Sequence, residues 1–162
     1  MLARILSTAA ASIMLSVAAQ AEPSDNLRGT WIFVSSVMEK DGVKTDQFGA
    51  GAKGMMILDA EGRFMLTIVG QGLPKFVSNN RATGTPTENQ AVVAKSIAMF
   101  GTYAYLPSDK TITLKIDLAT FPNWNSTEQK RLVIQATGEE LQYKTAQASG
   151  GGTAIVTWKR AD

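Results

Sequence analysis

The chain has 162 residues, with 16 Lys and Arg against 14 Asp and Glu, a formal net charge of +2, and neither His nor Cys. Without those two residue types it can build no Ser-His-Asp triad, no thiol nucleophile, no disulfide and no zinc site of imidazoles and thiolates. Charges of both signs are mixed along the sequence, whereas phosphate backbones require many cations on one face, so no nucleic-acid partner is expected. No metal site and no cofactor are predicted, since Gly49-Ala50-Gly51 lacks the lysine and the helix of a phosphate-binding loop.

The first residues have the pattern of an export signal. Arg4 supplies a positive start, residues 5–18 are apolar and uncharged, and Ala19-Gln20-Ala21 has the small residues of a cleavage site. The apolar run is too short for a membrane span, although a buried N-terminal helix is an alternative interpretation. Residues 1–21 are therefore predicted to be a signal peptide and residues 22–162 a single domain, located in the periplasm or secreted, with no transmembrane segment in the mature chain.

The rest of the chain alternates short β-type runs with turn residues, which is typical of an all-β barrel or sandwich. The strands predicted in chain order are 29–38, 54–59, 63–69, 100–105, 111–117, 130–136, 141–145 and 153–160. The segment 44–53 is predicted to be a loop. Because most connections are short, consecutive strands are expected to pair, and eight of them suit an up-and-down barrel without exposed edges.

One short helix is predicted in the middle of the chain. Thr87-Glu88-Asn89-Gln90 fits a capping box, in which the Thr and Gln side chains satisfy free N–H groups at a helix start. Val93, Ile97 and Phe100 then follow at helical spacing. We therefore expect a helix over residues 88–99 that covers one end of the barrel.

Several short motifs occur in a characteristic order, among them Leu27-Arg28-Gly29-Thr30-Trp31, Gly62-Arg63-Phe64, Phe100-Gly101-Thr102-Tyr103 and Phe121-Pro122-Asn123-Trp124. Together they resemble the bacterial and fungal lipocalin-like domain family over nearly the whole mature chain. The resemblance implies an all-β fold: an eight-stranded antiparallel up-and-down lipocalin-like barrel with one short helix. It also implies structural roles for Gly29 and Trp31, with the guanidinium of Arg160 or Arg28 lying across the indole at the closed barrel end.

Two long loops, residues 75–88 and 121–124, concentrate polar side chains. Long loops in a compact domain are often functional, and these could meet at one barrel mouth. Cations and amides there would orient a carboxylate or another polar head, while the apolar interior took the tail. The candidate ligand-binding residues in these loops are Lys75, Asn79, Arg81, Glu88, Asn123 and Trp124. The alternative is structural: a salt bridge between Arg81 and Glu88 ties down the long loop, and Trp124 plugs the barrel.

Tyr103 and Arg131 lie on predicted strands and complete the candidate set. If they point inward they need partners, because an unpaired buried charge costs several kcal/mol. One interpretation makes Tyr103 an acid or base and Arg131 an anion clamp. The other places them in a satisfied core network with Glu88, Glu128 or Asp117.

Three functions are compatible with these features. The first is an exported protein that binds a small apolar or amphipathic molecule in its barrel. The second is a cyclase or isomerase acting on a small metabolite, which requires Arg81, Glu88, Tyr103 and Arg131 to converge on one cavity. The third is an envelope protein with a filled barrel that binds another protein through an exposed apolar patch.

Overall fold

A computed structural model describes residues 26–161 of the chain, so the predicted signal peptide lies outside the described residues. The strands are β1 (Gly29–Lys40), β2 (Val43–Asp46), β3 (Lys53–Leu58), β4 (Arg63–Val69), β5 (Ser96–Leu106), β6 (Thr111–Ala119), β7 (Thr127–Ala136), β8 (Glu140–Thr145) and β9 (Thr153–Arg160). The α-helix α1 spans Pro86–Lys95, and single 3-10 turns cover Arg81–Thr83, Pro107–Asp109 and Pro122–Trp124. No helix among residues 26–161 combines the length and apolar character that crossing a bilayer requires.

The sheet closes on itself through β1. All pairings are antiparallel, and β3 to β9 follow one another in order. β1 pairs with β3 along its first residues and with β9 along most of its length, from Trp31 opposite Arg160 to Glu39 opposite Thr153. The predicted eight-stranded antiparallel up-and-down barrel with one short helix is thereby confirmed.

A further strand, β2, lies outside the closed circle, and the prediction of a loop over 44–53 is wrong for its first residues. β2 pairs with the end of β1, from Lys40 opposite Val43 to Val37 opposite Asp46. Asp41 and Gly42, with φ of 51° and 78°, form the two-residue turn that favours a hairpin. All four residues of β2 are exposed, so the strand carries no alternation of apolar and polar residues that would reveal it.

The helix begins and ends earlier than the predicted range of 88–99. Its capping box is formed by Thr85 and Glu88 rather than by the tetrapeptide 87–90, with Pro86 in the first turn, where its missing N–H is not needed. After Lys95 the chain enters β5, in which Ile97 and Met99 alternate inward with the period of a strand. The barrel pairing of β5 with β4 and β6 overrides the helical spacing seen in the sequence.

The two ends of the barrel differ. The closed end holds Trp31, which is fully buried and donates its indole N–H to the Leu27 carbonyl at 2.9 Å. The guanidinium carbon of Arg160 lies 4.3 Å from the centre of the Trp31 ring, so Arg160 rather than Arg28 covers the indole. Its nitrogens donate to the carbonyls of Arg28 at 2.7 Å and of Asn26 at 2.8 Å, and also to that of Gly138.

Gly29 is required by this arrangement. Its φ of +131° is a conformation that side chains rarely adopt, and an added Cβ would lie 2.6 Å from an Arg160 nitrogen. The first-strand glycine therefore leaves space for the arginine that seals the barrel. The opposite, open end carries α1, the Pro122–Trp124 turn and the loop between β8 and β9.

Candidate functional site

An apolar cavity of about 530 Å³ opens at the end of the barrel that carries α1. We call it the vestibule. Its walls come from the end of β1, the loop before β3, the last turns of α1, the start of β5 and the loops after β6 and β8. They comprise Met38, Gln47, Phe48, Val92, Val93, Ala94, Ser96, Ile97, Thr120, Phe121, Ser149 and Gly150.

A much smaller cavity of about 40 Å³, the inner pocket, lies against the vestibule within the barrel. The two share Gln47, Phe48, Ile97 and Ser149 as lining residues, so they adjoin each other. The inner pocket is further lined by Ser36, Leu66, Ile68, Met99, Trp124, Arg131, Tyr143, Thr145, Ala148, Ala154 and Val156. Its polar groups thus lie deeper than the apolar walls of the vestibule.

Arg131 is the charged group of the inner pocket. It shares the inward face of β7 with Val133 and pairs with Ile112 and Thr145 on the neighbouring strands. Only 2% of the residue is exposed. One guanidinium nitrogen donates to the carbonyl of Lys130 at 3.1 Å, and the guanidinium carbon lies 5.7 Å from the centre of the Trp124 ring.

Tyr143 lies beside this guanidinium, on the inward face of β8. Burial is the main cause that raises the pKa of the Tyr143 phenol, and the Arg131 charge opposes that rise. Burial likewise lowers the pKa of Arg131, with the Tyr143 hydroxyl acting in the opposite direction. A guanidinium stays charged in proteins, and burial keeps the proton on the phenol, so both groups can donate hydrogen bonds.

Three hydrogen-bonded polar side chains lie where the two cavities adjoin. The Ser36 hydroxyl donates to the Gln47 side-chain carbonyl at 2.8 Å, and the Gln47 amide donates to the Ser149 hydroxyl at 3.2 Å. These bonds tie β1 to the loops that border the open end, and they place polar side chains where the two cavities adjoin.

No Asp or Glu from the described part of the chain lines the inner pocket. The positive charge of Arg131 is therefore buried without an acidic partner on the pocket wall. Such a charge is costly unless something else compensates it. In residues 26–161, no group of three acidic side chains lies close enough together to hold a metal ion.

The structure brings two of the eight predicted ligand-binding residues, Trp124 and Arg131, to the inner pocket. Trp124 is buried, and its ring contacts Phe121 edge to face at 5.5 Å between centres. The remaining loop candidates with exposed side chains line neither the vestibule nor the inner pocket; they are Lys75, Asn79, Arg81 and Asn123. Their proposed contact with a ligand stays a prediction.

Glu88 has a structural position at the start of α1. One of its carboxylate oxygens accepts from the backbone N–H of Val77 at 2.9 Å, and the other accepts from that of Thr85 at 2.7 Å. These bonds, led by the one from Val77, lower the pKa of the Glu88 carboxyl. The long loop is thus held by backbone bonds to Glu88, where the sequence suggested an ion pair with Arg81.

Tyr103 lies on β5 near the turn between β3 and β4, and its hydroxyl donates to the carbonyl of Asp59 at 2.9 Å. That turn belongs to the closed end, whereas Arg131 lines the inner pocket and Glu88 begins α1. Arg81, Glu88, Tyr103 and Arg131 therefore do not converge on one cavity in the part of the chain that the structure describes.

Sequence reasoning did not identify Ser36, Gln47, Tyr143 and Thr145 as pocket residues. Alternation along β8 does place Leu141, Tyr143 and Thr145 on one face, so an inward Tyr143 is recoverable from the sequence. The position of Gln47 depends on how a loop folds back over β1, for which the sequence carries no periodic pattern.

The outer wall also carries an apolar row. Met65 pairs with Phe100, and Phe100 with Leu118, and their exposed fractions are 55%, 46% and 54%. Contiguous exposed apolar side chains are typical of interaction surfaces. The hypothesis that the protein binds another protein through an exposed apolar patch therefore stays a prediction.

A closed antiparallel barrel with a cavity open at one end defines this protein as a lipocalin-type barrel. A family model described as a lipocalin-like domain matches residues 28–161, and the chain belongs to that family. A redesigned β-barrel of known structure is similar over 85% of this chain and 93% of its own, with 16% sequence identity and a TM-score of 0.42. The comparison with curated proteins gives no significant match.

Proposed function

We propose that this protein binds a small amphipathic molecule, with the apolar part in the vestibule and the polar end in the inner pocket. The observation that carries the proposal is that two cavities adjoin each other, the outer one mainly apolar and the inner one lined by a buried cation. Ligand sites in proteins are typically apolar hollows with a few polar groups that fix orientation.

The vestibule supplies the apolar contacts. Val93 is 75% exposed although it faces this cavity, and Phe121 and Met38 are only partly buried. Covering such side chains with a ligand removes apolar surface from water, at about 25 cal/mol for each Å² buried. This gain favours a chain or ring of low polarity in the vestibule.

The arrangement favours an orientation opposite to the one expected from the sequence. The sequence suggested that polar loops would hold the head at the mouth and that the interior would take the tail. The lining residues instead support an apolar mouth around Phe121 and a polar interior around Arg131. A ligand would accordingly enter with its polar end first.

We further propose that the protein acts after export, in the periplasm or outside the cell. Support comes from the sequence pattern of residues 1–21. Mass measurement of the protein purified from its native host, in cell envelope and medium fractions, tests this: cleavage after Ala21 is expected, and an uncleaved cytoplasmic chain would contradict it.

Calorimetric titration of the purified domain with decanol and decanoate, below their micelle concentrations, tests ligand binding. At least one of them is expected to bind. Ala94→Trp, which places a large side chain in the vestibule wall, should weaken binding about tenfold or more by filling that space. Ala82→Trp, at an exposed position lining neither cavity, is the matched control. If neither compound binds, or both variants behave alike, the proposed function is wrong.

A further inference from the structure

Resting on the proposed function, we infer that the ligand is a monocarboxylic acid whose carboxylate binds Arg131 in the inner pocket. The inference deepens the proposed site by naming the chemistry of the polar end. Four features of the pocket support it.

The first feature is the buried charge itself. Arg131 is 2% exposed, and its guanidinium has five N–H donors in a fixed planar arrangement. The bond to the Lys130 carbonyl uses one nitrogen. Because no acidic side chain of the described residues lines the inner pocket, an anionic ligand would supply the missing counter-charge.

The second feature is the geometry around the guanidinium. The Trp124 ring, 5.7 Å away, and the barrel wall restrict how the guanidinium can turn. A carboxylate matches a guanidinium edge with two parallel hydrogen bonds, which are among the strongest and most directional in proteins. A fixed guanidinium loses little freedom when such an anion binds.

The third feature is the neutral donor beside it. Tyr143 keeps its proton because burial opposes ionisation, so its hydroxyl can donate to the same anion. Thr145, which is buried on the same face of β8, adds a second hydroxyl to the pocket wall. The donor set thus suits a group that only accepts hydrogen bonds, as an ionised carboxylate does.

The fourth feature is the number of charges. Arg131 is the one cationic side chain among the described residues that line the inner pocket. A single buried cation balances a monoanion, whereas a phosphate monoester carries close to two negative charges at neutral pH. The narrow pocket therefore favours a carboxylate over a phosphate.

A ligand series of constant tail length tests the inference on the unmodified protein. Decanoate, decanol and decylamine differ only in the polar end, and calorimetry compares their affinities. Decanoate is expected to bind about ten- to a hundredfold more tightly than decanol, the range given by charge-assisted hydrogen bonds. Decylamine is expected to bind more weakly than decanol, because the buried guanidinium repels its charge.

The variant Arg131→Met then tests whether the preference for decanoate over decanol depends on Arg131. The variant should lose more affinity for decanoate than for decanol, so that the two compounds bind about equally, because only decanoate forms an ion pair with the guanidinium. Arg63→Met, at an exposed position of β4 on the outer wall, is the matched control and should retain the full preference. Circular dichroism establishes that both variants are folded.

Two results overturn the inference and leave the proposed function intact: equal affinities of decanoate and decanol in the unmodified protein, or a carboxylate preference that survives Arg131→Met. Should none of the three compounds bind, the proposed function and this inference both fail. Because the ligand series uses the unmodified chain, a folding defect in the variant cannot obscure the outcome.

Discussion

Replacing Arg131 with methionine is expected to leave the ligand-free protein at least as stable as the unmodified protein. Arg131 is 2% exposed and has no acidic partner on the pocket wall, so the folded state bears the cost of keeping its charge from water. The proposed anionic ligand would offset this cost, since functional sites commonly reduce stability.

The magnitude follows from the contacts that the substitution removes. It loses the bond to the Lys130 carbonyl, about 1.5–3 kcal/mol for a charged donor, and a 5.7 Å contact with the Trp124 ring, about 0.5–2 kcal/mol. It also loses the interaction of the guanidinium with the Tyr143 hydroxyl. It removes a desolvation cost of several kcal/mol, and methionine fills much of the space. The net change therefore lies between about zero and a gain of about 3 kcal/mol in the free energy of unfolding, which is at most roughly 10 °C in Tm.

Urea denaturation at neutral pH, followed by circular dichroism, measures this change. The exposed control Arg63→Met should stay within about 0.5 kcal/mol of the unmodified protein. A loss of more than about 1 kcal/mol in Arg131→Met would show that the guanidinium stabilises the barrel. The argument for a ligand counter-charge would then be refuted.

Three further substitutions probe the closed end, the helix and the vestibule. Gly29→Ala should lower the free energy of unfolding by about 2–4 kcal/mol, because of its positive φ and the nearby Arg160 nitrogen, whereas Gly138→Ala, with open space around it, should change it little; equal effects in urea denaturation would contradict this. Glu88→Gln should lower Tm at neutral pH. Backbone bonds hold the pKa of Glu88 below its ordinary value of 4.5, so its stabilisation is present above the unfolded-state pKa and disappears as pH falls through the folded-state pKa. A Tm difference independent of pH would refute that assignment. Phe121→Ala should weaken decanoate and decanol equally in calorimetry, about three- to tenfold, because it removes apolar contact only; a selective loss of decanoate binding would contradict the placement of the tail.

The barrel could be predicted because the alternation of apolar and polar residues shows which face of a strand is buried. In β6, Ile112, Leu114 and Ile116 alternate with polar residues, and all three are buried. Short turns between such strands leave few ways to pair them, and closure onto β1 follows from the need to cover the edges. The family resemblance predicted that either Arg160 or Arg28 covers the Trp31 indole at the closed end, and it did not decide between them.

The inner pocket could be predicted only in part. The alternation of Arg131 with Val133 places the arginine inside, as β7 shows. Its neighbours could not be deduced, since Tyr143 reaches it through strand pairing and Gln47 through a loop that folds back onto β1. The start of the helix at Pro86 was missed because two overlapping tetrapeptides, beginning at Thr85 and Thr87, each resemble a capping box.

A crystal structure with decanoate brominated at its terminal carbon tests the central claim most directly, because anomalous scattering locates the bromine. We expect the bromine in the vestibule, near Phe121 and Val92, and the carboxylate within hydrogen-bonding distance of Arg131. A bromine in the inner pocket, or on the outer wall near Phe100, would contradict the account.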